Sequence, residues 1–350
     1  MESALSLVLL TLNSPVLVFF ALGAGLAALS RSVQMPPIFS RMLGVLLIFA
    51  IGVKGGASLG TDGIDGRVLE ALLAGLALSL GITLLAFSAL SRSGVVERGD
   101  AAGIAAHYGS ISIVTFATMS MLLKGNGIAY DGWMVAVAVT MEVPAIATAL
   151  ILARFAAAPD SVAVAGGGSM TMGRITTGRI TTGMGGPGFG DMLRALGDNK
   201  GIALLLAAFA IGILAGQFDA SWDEKISLEL FPAVLILFLL DQGMTVGRRL
   251  ASLKRRFNAQ LAAFAIAMPL LGAQLGLLLG LAAELGAGNT ALLMALGASA
   301  SYIAAPAATR IALPGARPEL YLTLSLCVTL PFNLLIGLPL YLTLADWLAG

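Results

Sequence analysis

The chain has 350 residues, of which 58% are hydrophobic and 11% charged, and its formal net charge is +1. Soluble domains carry about a quarter of their residues as charges, so this composition excludes an ordinary soluble domain and points to a polytopic membrane protein. The near-neutral balance leaves no basic face for nucleic acid, and a single cysteine, Cys327, excludes an intrachain disulfide and any cysteine-based metal set.

Apolar stretches of about 20 residues, the length that spans a bilayer, predict ten transmembrane helices in an all-α fold. They fall at 15–29, 38–57, 68–90, 101–123, 133–156, 201–217, 230–246, 258–281, 290–313 and 320–347. The first residues lack the basic start and small-residue cleavage site of a secretory signal, so 1–29 is expected to stay as an anchor. Cys327 lies inside the last apolar stretch and reads as a packing residue. Residues 165–190 are rich in glycine, poor in apolar side chains and duplicate the string GRITTG. A flexible linker over 157–197 is therefore expected. It separates a first five-helix unit, 1–156, from a second, 198–350.

The two units match in three places. LLIFAIGVKGG at 46–56 resembles LILFLLDQGMTVG at 235–247, pairing Gly52 with Gly243 and Gly56 with Gly247. Such glycines let membrane helices approach closely. Ser110-Ile-Ser112 pairs with Ser299-Ala-Ser301, and Gly125 and Gly315 follow each about 15 residues on. Glu142-Val-Pro144 pairs with Thr329-Leu-Pro331. With an odd number of spans per unit, the second runs in the opposite sense, giving a 5+5 inverted repeat whose serine pairs face each other near the bilayer midplane.

Charge sets the expected orientation. All but four of the 20 Lys and Arg residues fall in or beside the odd-numbered loops; the exceptions are Lys54, Arg67, Lys124 and Lys225. The positive-inside rule makes those loops and the linker cytoplasmic and puts both termini outside.

The serine pairs are the candidate functional centre. HYGSISIVTF, 107–116, combines glycine, serines and β-branched residues, a poor recipe for an unbroken helix, and predicts an interruption at 109–113. GASASYIAAPAATR, 297–310, contains Pro306, which disturbs the helical bond to residue 302 and predicts a break or kink there. Broken helices expose N–H groups that favour an anion and carbonyls that favour a hard cation. Candidate substrate contacts are therefore Gly109, Ser110, Ser112, Ser299, Ala300, Ser301 and Tyr302, and candidate cation contacts are Thr115 and Glu142. A serine in a membrane helix also commonly bonds back to the carbonyl one turn earlier, and Glu142 has a structural reading as the partner of a polar neighbour. Asp241-Gln242 lies where it can reach the broken ends or sit near the membrane surface, and Lys54 is expected to snorkel outward. His107 has the chemistry to titrate near neutral pH, but a lone histidine beside Tyr108 is more often a hydrogen-bonded packing residue. No Gly-x-Ser-x-Gly, His-Glu-x-x-His or phosphate-loop motif occurs, so neither an enzyme nor a metal centre is expected.

IGVKGG (51–56), YGSISIVTF (108–116), YDGW (130–133), EVPA (142–145) and SASYIAAP (299–306) together resemble the sodium-dependent bicarbonate transporter family, known from cyanobacteria and other bacteria. The likeness covers the chain apart from its linker. It implies a core domain with two crossing interrupted helices, a gate domain, and elevator-like uptake of bicarbonate with sodium as the coupling ion. It further implies a homotrimer in the bacterial inner membrane and a small PII-like cytoplasmic regulator. In that family, serines at the positions of Ser110, Ser112, Ser299 and Ser301 belong to the bicarbonate and sodium site. Two departures stand out: this chain has Tyr302 and Glu142 where cyanobacterial members carry aspartates. The second keeps an acid; the first removes one and adds the bulk of a phenol. A symporter or antiporter for another small anion, and a transport-inactive receptor signalling through a cytoplasmic partner, remain alternatives.

Overall fold

The structure, a computed structural model, describes residues 14–30, 32–156, 200–217, 231–253, 258–303, 305–313 and 315–349. The expected linker lies outside them. The described residues are helical, with no strand: α1 (Pro15–Leu29), α2 (Pro37–Asp62), α3 (Gly66–Ser93), α4 (Arg98–Gly109), α5 (Ile113–Gly125), α6 (Met134–Ala156), α7 (Lys200–Gln217), α8 (Phe231–Leu253), α9 (Ala259–Ala282), α10 (Gly286–Ala298), α11 (Ala305–Ala312) and α12 (Pro318–Ala349).

Local chemistry sets the ends. Proline occupies the first turn of α1, α2 and α12, where its missing N–H costs nothing. Asp65 caps α3 by accepting the Val68 N–H at 2.9 Å, and Asn258 caps α9 by accepting that of Gln260 at 2.9 Å. Gly94 ends α3 in the left-handed region, φ 66°.

Among the described residues, seven spans are long and apolar enough to cross a membrane: α2, α3, α4 taken with α5, α6, α8, α9 and α12. α1 and the apolar part of α7 are shorter, and the expected ninth span is two short helices, α10 and α11. The break expected within 297–310 is present, but it lies upstream of Pro306. The chain leaves the helix upstream, after Ala298, and Pro306 sits in the first turn of α11, where proline is tolerated. α12 contains two π-helical turns, Thr323–Thr329 and Asn333–Gly337, and buries Cys327 in the first, as expected of a packing residue.

Packing sorts the helices into two groups. α1 packs on α8, α2 packs on α7, and α8 also touches α2. In the other group α3 packs on α4 and α6, α4 on α6, α9 on α10 and α3, and α10 on α12. The matched glycines explain the closest contacts of the first group. A Cβ on Gly56 would come within 2.8 Å of the Ile213 nitrogen and 2.9 Å of the Gly212 Cα on α7. One on Gly243 would come within 2.9 Å of the Ala24 nitrogen on α1. The same sequence device thus joins α2 to α7 and α8 to α1.

Candidate functional site: two crossing helix breaks

The first break is residues 110–112, between α4 and α5, and the second begins at Ser299, after α10. Ser110 and Ser299 end their helices with nearly identical backbones, φ −83°, ψ 163° and φ −81°, ψ 164°. Each break frees backbone groups that must find partners in a membrane interior. They find them across the two halves of the chain.

In an unbroken helix the His107 carbonyl would accept the Ile111 N–H and the Ser112 N–H would go to Tyr108. Here the His107 carbonyl accepts the Ser301 N–H at 2.7 Å, and the Ser112 N–H donates to Ser299 Oγ at 2.9 Å. Ser299 Oγ–H in turn donates to the Leu296 carbonyl at 2.8 Å. Ile111 N–H donates to Glu142 Oε2 at 3.3 Å. The last carbonyl of α10, Ala298, accepts from Asn333 Nδ2 at 2.7 Å, and Tyr341 donates to Asn333 Oδ1 at 3.2 Å. Ser112 Oγ caps α5 by accepting the Thr115 N–H at 3.3 Å, and Ser301 Oγ accepts the Ala305 N–H at 3.1 Å at the start of α11.

A small cavity of ≈ 20 Å³ opens beside the crossing, room for about one water-sized sphere. Its wall includes Ser112, Ile113, Glu142, Ser301 and Tyr302 from the group of broken helices, and Ile48 and Leu205 from α2 and α7. The site therefore lies where the two packing groups meet. Among its lining residues Glu142 is the one carboxyl and no Lys or Arg is present. Negative charge in the cavity would thus be met by neutral donors at the amino end of α5.

The expected residues fall into distinct positions. Ser112, Ser301 and Tyr302 line the cavity. Tyr302 faces Ser112, yet its buried hydroxyl completes no hydrogen bond among the described residues. Ser110 does not itself line the cavity; its Oγ is turned toward the Glu142 carboxyl, and neither Ser110 Oγ nor Glu142 Oε1 has a hydrogen-bond partner among the described residues. Ser299 joins the two breaks. Ala300 and Thr115 are buried without lining the cavity. Gly109 lets α4 approach α3: a Cβ there would meet the Thr83 side chain and come within 3.0 Å of the Ser79 carbonyl.

Three neighbouring expectations resolve differently. Asp241 is buried on α8, where Ser40 and Arg248 neighbour its carboxyl, and it lies near enough to the second break to act electrostatically on Tyr302. Lys54 does not simply snorkel outward, because its amine donates to the Tyr130 hydroxyl at 2.9 Å. His107 packs as expected, with Nδ1 on the Gly103 carbonyl at 2.7 Å and its ring stacked on Tyr321 at 4.1 Å. Sequence reading missed Asn333. A lone asparagine inside an apolar span is its signal, since polar groups at that depth are costly unless partnered.

No curated protein matches the chain. The family described as the Na+-dependent bicarbonate transporter superfamily matches it over residues 15–346. With a match across nearly its whole length, and seven membrane-length spans around two crossing helix breaks, the chain belongs to the Na+-dependent bicarbonate transporter superfamily.

Proposed function

We propose that this transporter takes up bicarbonate with sodium at the crossing of the two breaks, by an elevator-like movement. The observation that carries the proposal is the reciprocal bonding of Ser112 to Ser299 and of Ser301 to His107, which brings both interrupted helices to one cavity. Bicarbonate is assigned to Ser112, Ser301 and the amino end of α5, where free N–H groups and hydroxyls donate to an anion. Sodium, a hard cation that prefers oxygen, is assigned to Ser110 and Glu142 at the carboxyl end of α4, with Thr115 as a further candidate. This moves Ser110 from the anion to the cation, because its hydroxyl faces a carboxyl.

The 5+5 inverted repeat is supported by matched packing. Exchanging the two halves turns the α1–α8 contact into α7–α2, α3–α4 into α9–α10, and α4–α6 into α10–α12. On this reading α1, α2, α7 and α8 form the gate, and α3–α6 with α9–α12 form the moving core. The homotrimer, the bacterial inner membrane with both termini outside, and the PII-like regulator at a cytoplasmic face remain part of the proposal through family resemblance and loop charge. Other small anions are the second reading for the substrate, favoured by the bulk of Tyr302 in the cavity. Thermal melting of purified protein tests the assignment: bicarbonate stabilises the protein, and does so more strongly with sodium than with potassium. Equal stabilisation by both cations would sink the sodium part.

A further inference from the structure

Two polar contacts lie at opposite ends of the α4–α5 span and are built alike. At one end, Asp100, in the first turn of α4, accepts the Arg317 backbone N–H on Oδ1 at 2.7 Å. Its Oδ2 takes the same residue's guanidinium at 2.8 and 2.6 Å. At the other, Asn289, near the start of α10, accepts the Asp131 backbone N–H on Oδ1 at 2.9 Å and donates Nδ2 to the same residue's carboxyl at 2.6 Å. In each case a residue early in the first half of a broken helix grips both the backbone and the side chain of a loop residue just before the last helix of the other half. Asp100 and Asn289 each stand about ten residues ahead of a paired serine, Ser110 and Ser299. Both are buried, while Arg317 and Asp131 are exposed.

We propose that Asp100–Arg317 and Asn289–Asp131 are equivalent clasps that fix the depth and rotation of α4 and α10, and thereby position the two breaks. The inference rests on the proposed site only for its effect on bicarbonate. Ten helical residues span about 15 Å, so a clasp at the start of α4 sets where the His107 carbonyl meets Ser301. The clasp acts through the helix, and Asp100 and Asn289 are positioning residues. The pair joins a buried carboxylate to an exposed guanidinium, whose water-facing side limits what the charges add by themselves. The shared element is the buried acceptor on a backbone N–H together with a donor and acceptor matched between the side chains. The two pairings are therefore interchangeable.

The test rebuilds the Asn–Asp pairing at the Asp–Arg end. Arg317→Asp alone sets two carboxyls against each other, one of them buried. Hydrogen exchange of peptides covering 108–113 and 299–303 in the purified full chain should rise about tenfold, and the bicarbonate KM should rise by about the same factor. Adding Asp100→Asn supplies an amide that accepts the backbone N–H and donates to the new carboxyl, and both readouts should return to within about threefold of wild type. Glu97 and Glu319 near Arg317 are exposed, and about 0.15 M salt screens their repulsion. If the single variant fails to fold, recovery of folded protein in the double variant supports the proposal. A double variant as loose as the single one, or a single variant with unchanged exchange, overturns it. Exchange needs no substrate, so restored exchange without bicarbonate flux would count against the assigned substrate and leave the clasps standing.

Discussion

Ser112 donates its backbone N–H to the Ser299 hydroxyl at 2.9 Å across 187 residues of sequence. That bond consumes a group that a helix break would otherwise leave orphaned in the membrane interior. Ser299→Ala should cost about 1–3 kcal/mol, the penalty for an unsatisfied buried donor, and should lower the melting temperature. Ser110→Ala removes a hydroxyl that has no hydrogen-bond partner among the described residues and should leave melting unchanged while weakening transport. Melting curves of the two variants side by side check this, and equal losses of stability would contradict it.

Among the described residues, Glu142 is the one carboxyl on the cavity wall. Glu142→Gln keeps the side chain's size and one acceptor for the Ile111 N–H but removes the charge available to a cation. The sodium concentration for half-maximal uptake should rise by about tenfold, the loss of one charge-assisted contact. Sodium titration of uptake measures this directly, and an unaltered titration would remove Glu142 from the cation site.

Tyr302 lines the cavity, and its buried hydroxyl has no hydrogen-bond partner among the described residues. Tyr302→Phe should leave stability unchanged, because no protein hydrogen bond is lost. Tyr302→Ala should enlarge the cavity and let acetate or formate compete with bicarbonate uptake. Competition assays on wild type and both variants test the size limit; the same inhibition profile in all three would show that Tyr302 does not set it.

The α2–α7 and α8–α1 contacts leave no space for a side chain at Gly56 or Gly247. Gly56→Leu or Gly247→Leu should cost at least about 1–3 kcal/mol through overpacking and sharply reduce the yield of folded protein. A Cβ at Gly25 or Gly81 meets nothing within 4 Å, so Gly25→Leu and Gly81→Leu should be tolerated. Size-exclusion profiles of the four variants decide the matter.

The first break was readable because Gly109, the serines and the β-branched residues after them disfavour a helix by local propensity alone. The second is legible as an interrupted stretch, but Pro306, its strongest local signal, does not mark the point where the helix ends. A proline in a first turn instead begins the next helix, and the break belongs to the serines before it. Hydropathy found the long spans but is blind to hydrogen-bond register, so the π turns of α12 that carry Asn333 toward Ala298 left no mark. Asp100 and Asn289 escaped notice for a related reason: near a membrane edge a polar residue reads as a loop residue. Only their common spacing from Ser110 and Ser299 distinguishes them. The role of Ser299 in joining the breaks depended on a contact between distant halves, which no local pattern carries.

The central claim is that the crossing breaks form a sodium-driven bicarbonate site, and flux into proteoliposomes tests it most directly. Radiolabelled bicarbonate should accumulate when an inward sodium gradient is imposed. It should fail to accumulate with a potassium gradient of the same size, and Ser112→Ala with Ser301→Ala should abolish the sodium-driven component. Saturable uptake that ignores sodium, or that survives loss of both hydroxyls, would contradict the account.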